Sequence, residues 1–425
     1  MNQVSPSIPE ALRHRLGDSV VTVLGVDGQP LADTDVVVEQ TRHAFGLGNI
    51  GFDFIPLANG ETDAVPDSPF GGAHPSQGAH LAELWFDVFN TATLPFYWGG
   101  FEPERGRPDT ARLLRTAEWF VEHGAVVKGH PLAWHTLAPK WLLDLPYDEV
   151  EATLRARIVR EVTDFRGVVD LWDAINEVVI MPVFDKEENG ISRLAQRLGR
   201  VETVRLAFDT ARSANPGATF LLNDFNLSPA YEHLIEDCLA AGIQIDALGL
   251  QSHMHQGYWG EEKTQAILER FARFGLPLHW TETTLLSGDL MPPEIEDLND
   301  FQVADWPSTP EGEARQADEI VRHYTTLVEH PAVQAITYWG LADDGAWLGA
   351  PAGLVRRDGT PKPAYDALRG LIKDTWWLAP TTLRTDGQGR LSIDGFLGEY
   401  RLTAADRSAA VVLDAAEGST EVVVR

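Results

Sequence analysis

The stretch DLWDAINEVV, residues 170–179, decides how the chain folds, because it begins as an apolar strand and ends in Asn176 and Glu177, which a strand core excludes. A parallel strand buried on both faces reads as a near-continuous apolar run, and Val168, Val169, Leu171, Ala174 and Ile175 fit that pattern. Polar groups at the carboxyl end of such a strand lie where α/β barrels and open α/β sheets gather their chemistry. An isolated Asn-Glu would more simply open a solvated loop, so the rest of the chain has to carry the reading.

Working outward, seven similar runs appear: HAFGLGN (43–49), FDVFNTATL (86–94), AVVKGHPL (125–132), TFLLNDF (219–225), DALGLQSH (246–253), PLHWTET (277–283) and VQAITYWG (333–340). Between them, residues 109–123, 147–163, 201–213, 229–241, 261–274 and 312–330 carry apolar side chains at three- and four-residue spacing, the mark of an amphipathic helix. The first gap is the weakest, with only residues 80–85 as a short helix, and residues 361–372 make the last helix. Eight strand-helix units predict an α/β fold of the closed (β/α)8 TIM-barrel kind. The two ends differ: residues 21–40 and 381–425 alternate in short runs broken by Gly-rich turns. The expected organisation is therefore a barrel over 43–378 and a small accessory β-sandwich built from 1–42 and 379–425, more simply a brace than a sugar-binding module.

Composition narrows the function. With 44% hydrophobic and 23% charged residues the chain can bury a large core. Its net charge of −29 repels phosphate backbones and anionic membranes, so neither nucleic acid nor membrane is an expected partner. The single cysteine, Cys238, lies in a helical pattern and reads as a packed thiol. The first twenty residues lack the apolar run of a secretory leader, so the expectation is a cytoplasmic protein, or a secreted one if a leader has been removed.

Nearly every run ends in polar or aromatic residues: His130, Trp134 and His135; Asn176 and Glu177; Asn223 and Asp224; Gln251, His253 and His255; Glu282; Trp339, Asp343 and Trp347. Glu177 and Glu282 fall on strands four and seven, whose ends can face each other across a barrel mouth. Two carboxylates about 5–5.5 Å apart are the equipment of a retaining glycosidase, and aromatic rings with amides and imidazoles suit the two characters of a sugar surface.

These segments resemble family 10 of the glycoside hydrolases, the xylanase family. GHPLAWH is similar to G-H-x-L-x-W-H, WDAINE to W-D-x-x-N-E, NDFN to N-D-Y-N, GLQSHMH to G-x-Q-S-H, and WTE and YWGLADDGAW to the family's nucleophile and W-G-x-x-D-x-x-S-W segments; PKPAY matches its closing helix. The resemblance runs over about residues 45–377. It implies Glu177 as general acid/base, Glu282 as nucleophile, Asn176 on the sugar 2-hydroxyl and His253 on the nucleophile. It places His130, Trp134 and Gln251 around the sugar at the cleavage point, with Trp339 and Trp347 closing over it, and it implies no metal or cofactor.

The chain also departs from that family. Where the family carries T-x-E-N-x-x-K-W after strand two, this sequence reads NTATLPFYWGGFEPERG, so the Glu, Asn and Lys that grip sugar hydroxyls are absent. Together with the long acidic connection over residues 281–312, Phe96, Tyr97 and Trp98 are expected to form an apolar wall for a different sugar or an aromatic aglycone, the alternative being that Phe96 and Trp98 are barrel core. The leading substrate is xylan or a xylo-oligosaccharide, followed by a plant or microbial β-glycoside with a large or aromatic aglycone. The rival classes are a metal-dependent hydrolase, prompted by His253 and His255, and a non-catalytic carbohydrate-binding barrel.

Overall fold

The computed structural model describes residues 9–61, 75–414 and 418–425. Residues 1–8, read for a leader, and residues 415–417 lie outside them. Strands β3 (Gly46–Ile50), β4 (Thr91–Pro95), β5 (Val126–His130), β6 (Leu171–Asn176), β7 (Thr219–Asp224), β8 (Ala247–Met254), β9 (Leu278–Leu285) and β10 (Val333–Tyr338) close into one parallel barrel, sealed where Ala335 pairs with Gly46 and Tyr338 with Asn49. Each follows one of the eight apolar runs. Burial on both faces explains their composition: Trp172, Ala174 and Ile175 of β6 are fully inaccessible.

Helices occupy every gap, with α1 (Ile55–Asn59) and α2 (Gly78–Val88) in the first, α3 (Trp98–Phe101) and α4 (Thr110–Glu122) in the second, and α5 (Tyr147–Asp164) in the third. Then come α6 (Gly190–Leu198) and α7 (Arg200–Ala214), α8 (Pro229–Ala240), α9 (Glu261–Ala272), α10 (Pro310–Val328) and α11 (Pro363–Gly370). Local chemistry sets several starts. The Ala230 amide donates to the Ser228 hydroxyl and the Gly312 amide to Thr309, each with proline opening the helix. One boundary corrects the sequence reading: Phe86 to Val88 belong to α2, and the strand begins only at Thr91. Their apolar run is a helix face, since Trp85 and Phe86 pack with Phe120. A short apolar run cannot by periodicity be told from a strand.

The accessory sheets come from both chain ends. Strand β1 (Leu16–Leu24) lies between β12 (Arg390–Phe396) and β15 (Gly418–Val423), and β2 (Asp35–His43) lies between β11 (Thr381–Arg384) and β13 (Gly398–Ala404), with β14 (Arg407–Leu413) at the edge. Val21, Val23, Val36, Val38, Ile393 and Leu402 fill the space between them. Arg15 fastens this unit to the barrel floor by donating to Val328 O (3.0 Å) and His330 O (2.9 Å), at the end of α10 and in the turn that leads into β10. The sandwich thus sits at the amino ends of the barrel strands, opposite the mouth. Among the described residues no helix is long and apolar enough to cross a membrane, and Cys238 is fully buried.

Candidate active site

At the carboxyl end of β6 the backbone turns sharply, and Glu177 takes φ +57°, a left-handed conformation that a non-glycine residue adopts at a cost of order 1–3 kcal/mol. The Glu177 amide donates to Asn223 O (2.9 Å) and the Val179 amide to the Asp224 carboxylate (3.0 Å), so β7 holds the strained turn in place. Glu282 stands within β9, opposite Gln251 of β8, after a register shift between Leu250 and Gln251.

A chain of amides joins the two acids. Gln251 Nε2 donates to Glu177 Oε1 (3.3 Å) and to Asn176 Oδ1 (3.0 Å); Asn223 Nδ2 donates to Asn176 Oδ1 (2.8 Å) and to Glu282 Oε1 (2.9 Å). The Thr281 hydroxyl donates to Asn223 Oδ1 (2.6 Å), which fixes the orientation of that amide. Gly249 makes room for it, since a Cβ there would stand 2.2 Å from Asn223 Oδ1. Asn176 Nδ2, buried, has no acceptor among the described residues. A buried donor without a partner costs about 1–3 kcal/mol, so this one is poised for a hydroxyl brought by a ligand.

The surroundings drive the acids apart. Burial, reinforced by the charge of Glu282, raises Glu177 to about 8, although Trp134 Nε1 donates to its Oε2 at 2.7 Å. Burial alone would also raise Glu282, but the imidazoles of His130 and His253 outweigh it and hold the group below the ordinary carboxylate range. His253 Nε2 donates to Glu282 Oε2 (3.1 Å), and His130 Nε2 lies 3.9 Å from Oε1. His130 is itself aimed from behind: its Nδ1–H donates to Asp173 Oδ2 (2.6 Å), which also takes the buried Lys128 ammonium at 2.8 Å. One acid protonated and one ionised at neutral pH is the pairing that acid-assisted displacement at a sugar carbon requires.

Rings surround the pair. Trp339 lies 5.2 Å from His130 and 6.2 Å from His253, and Trp347 lies 4.9 Å from His253. The loop that carries them is pinned by the buried Lys362 ammonium of the PKPAY segment, which donates to Asp343 Oδ1 (2.7 Å), Ser287 Oγ (2.8 Å) and Gly353 O (2.8 Å).

Of the two readings of this segment, the one with Phe96 and Trp98 as barrel core holds, and the wall of three residues is corrected. Phe96 packs on Trp172 (4.7 Å) and Phe165 (4.8 Å), and Trp98 donates to Glu102 (3.0 Å) and meets Trp141, so both belong to the core behind β4. Tyr97 alone faces the mouth, against Phe52, His130 and Trp134. Nor does the connection after β9 join that wall. Its Leu286, Met291 and Trp306 pack with Ala350 and Ala352, and Asp300 reaches Lys186 of the loop after β6 (3.1 Å), so it rims the other side of the mouth. His135 is buried against Phe184, and His255 is buried beside Trp347; burial lowers them to about 4 and about 3. No group of three or more His, Cys, Asp or Glu side chains among the described residues is placed to hold a metal ion.

Sequence reading named Asn223 as a strand end without giving it a part, and it passed over Asp173, Lys128 and Phe52. The signal for Asp173 and Lys128 was present: charged residues inside apolar strands are almost never fully buried unless paired.

A closed parallel barrel with two buried, oppositely tuned carboxylates at its mouth defines the class as glycoside hydrolase. Residues 86–370 match the family model for glycosyl hydrolase family 10, and the chain belongs to that family, whose members retain anomeric configuration. Endo-1,4-beta-xylanase B of Thermotoga neapolitana is 27% identical over 296 residues, covering 65% of this chain and 78% of that one. An endo-1,4-beta-xylanase of Geobacillus stearothermophilus is 30% identical over 263 residues, covering 58% and 75%. Among solved structures, xylanase 10B from Thermotoga petrophila RKU-1 in complex with xylobiose superposes with TM-score 0.62 at 22% identity, covering 78% of this chain and 95% of that chain.

Proposed function

We propose that this retaining β-glycoside hydrolase acts on β-xylosidic bonds of xylan or xylo-oligosaccharides, with Glu282 as nucleophile and Glu177 as general acid/base. The observation that carries the assignment is the opposite tuning of the two buried carboxylates, Glu177 raised to about 8 and Glu282 lowered. The xylose preference is supported by the xylanases to which the chain is similar. Glu282 attacks the anomeric carbon as Glu177 gives its proton to the departing oxygen; Glu177 then takes a proton from the water that releases the sugar. Asn176 Nδ2 meets the 2-hydroxyl, a contact that strengthens as positive charge develops on the ring. Gln251 and Trp134 hold the acid, His253 and His130 hold the nucleophile, and Trp339 and Trp347 cover the sugar.

Azide rescue separates the two roles. With an activated aryl β-xyloside, Glu282→Gly plus azide is expected to give the α-glycosyl azide, and Glu177→Ala plus azide the β-glycosyl azide. The reverse pairing of products would overturn the assignment.

A further inference from the structure

The rings at the mouth form an unbroken arc over the ends of β10, β3, β4 and β5. Phe52 meets Trp339 edge-on at 5.9 Å and Tyr97 at 5.9 Å, and Tyr97 leans on Trp134 at 5.5 Å. His130 sits inside the arc, 5.2 Å from Trp339 and 5.8 Å from Tyr97. Phe52, Tyr97 and Trp339 are buried with Ile50 in one small cluster, so the arc is packed core and not a mobile flap.

The opposite side of the mouth is built differently. After β7 the ring of Phe225 is 45% exposed. The rim beyond carries the Lys186–Asp300 ion pair, whose side chains are both more than half exposed. The four rings of the arc carry no charge to grip a further hydroxyl, and the cavity beside Trp339, lined by Asp53, Asp344 and Trp347, has room for about one water and not for a second sugar.

The arc stands behind the nucleophile. His130 lies 3.9 Å from Glu282, and Trp339 contacts both His130 and the His253 that donates to Glu282. The sugar that becomes bonded to Glu282 is thus the one against the arc, and the leaving group protonated by Glu177 departs on the open side.

We propose that the arc of Phe52, Tyr97, Trp339 and Trp134 ends the glycone pocket after one sugar, so that the protein removes single units from the non-reducing end of a β-glycoside instead of cutting within a chain. This rests on the assignment of Glu177 and Glu282 given above. In each cycle the bond from C1 to the leaving oxygen breaks as C1 bonds to the Glu282 carboxylate, and the Glu177 proton goes to that oxygen. Water then replaces the Glu282 ester, returns a proton to Glu177 and frees one monosaccharide.

The test is the first-product pattern from xylopentaose labelled at its reducing end, beside rates on 4-nitrophenyl β-xyloside and β-xylobioside, with Glu282→Ala as control. The expected result is xylose plus labelled xylotetraose, with kcat/KM on the xyloside at least tenfold above release of intact xylobiose from the xylobioside. Tyr97→Ala should raise intact xylobiose release relative to xylose release by tenfold or more. The wild-type pattern decides the matter even if that variant does not fold. Glu282-dependent release of intact xylobiose as the first product would overturn the single-sugar pocket while leaving the assignment of the acids standing. No Glu282-dependent turnover in any arm would overturn the assignment and the pocket with it.

Discussion

Replacing Trp134 with phenylalanine should move the alkaline limb of the pH–rate profile upward and leave the acid limb alone. The indole Nε1 donates to Glu177 Oε2 at 2.7 Å, a bond made to the ionised carboxylate and therefore one that lowers its pKa. Hydrogen bonds to charged groups contribute about 1.5–3 kcal/mol. At 1.36 kcal/mol per pKa unit, its loss is equivalent to about 1–2 units. Phenylalanine fills most of the indole's volume, so little water enters to offset the change. The limb near pH 8 in kcat/KM for an aryl β-xyloside with a poor leaving group, which reports the free enzyme, is expected to rise by that amount. Glu282 is held by His253 and His130, not by Trp134, so the acid limb should not shift. An alkaline limb that stays put or falls would show that Glu177 does not set it or that the indole does not hold the ionised form.

Glu177→Gln should stabilise the fold in alkali. A carboxyl raised to about 8 in the folded state and ordinary when unfolded takes stability away as pH rises from the unfolded value through 8, so the gain in Tm over wild type should be near zero at pH 4 and reach its plateau above pH 8. Gly249→Ala should cut kcat/KM without touching substrate, because a Cβ 2.2 Å from Asn223 Oδ1 displaces the amide that joins Asn176 to Glu282; an unchanged rate would show that this amide chain is dispensable. Lys362→Met leaves Asp343 buried without its ammonium, a loss of about 3–5 kcal/mol. Calorimetry should show a Tm lower by roughly 3–6 °C. The double variant with Asp343→Leu should recover most of that.

Much of the barrel is visible in the chain because parallel strands covered by helices must be apolar throughout, and β6, β7 and β8 read that way directly. Residues 86–88 misled because the face of a buried helix has the same composition. Glu177 and Glu282 stood out as acids at strand ends where burial should exclude them. Asn223 did not, since its part depends on side-chain direction: an amide turned by Thr281 over the bare Cα of Gly249. The three-residue wall failed because a helix start, not a continued strand, follows β4. All three residues lie beyond the end of β4, where the chain turns at Tyr97 into α3, so Phe96 and Trp98 pack into the main core while Tyr97 joins Phe52 and Trp339 at the mouth. Phe52 was missed because it follows β3 in a short 3-10 turn whose position no local pattern announces.

The measurement that bears most directly on the central claim is the site of covalent trapping by a 2-deoxy-2-fluoro β-xyloside with an activated leaving group, read by mass spectrometry of peptides after proteolysis. The account predicts one deoxyfluoroxylosyl group per chain, on the peptide containing Glu282, formed also by Glu177→Gln and absent from Glu282→Gln. Label on Glu177, or label that survives in Glu282→Gln, would contradict it.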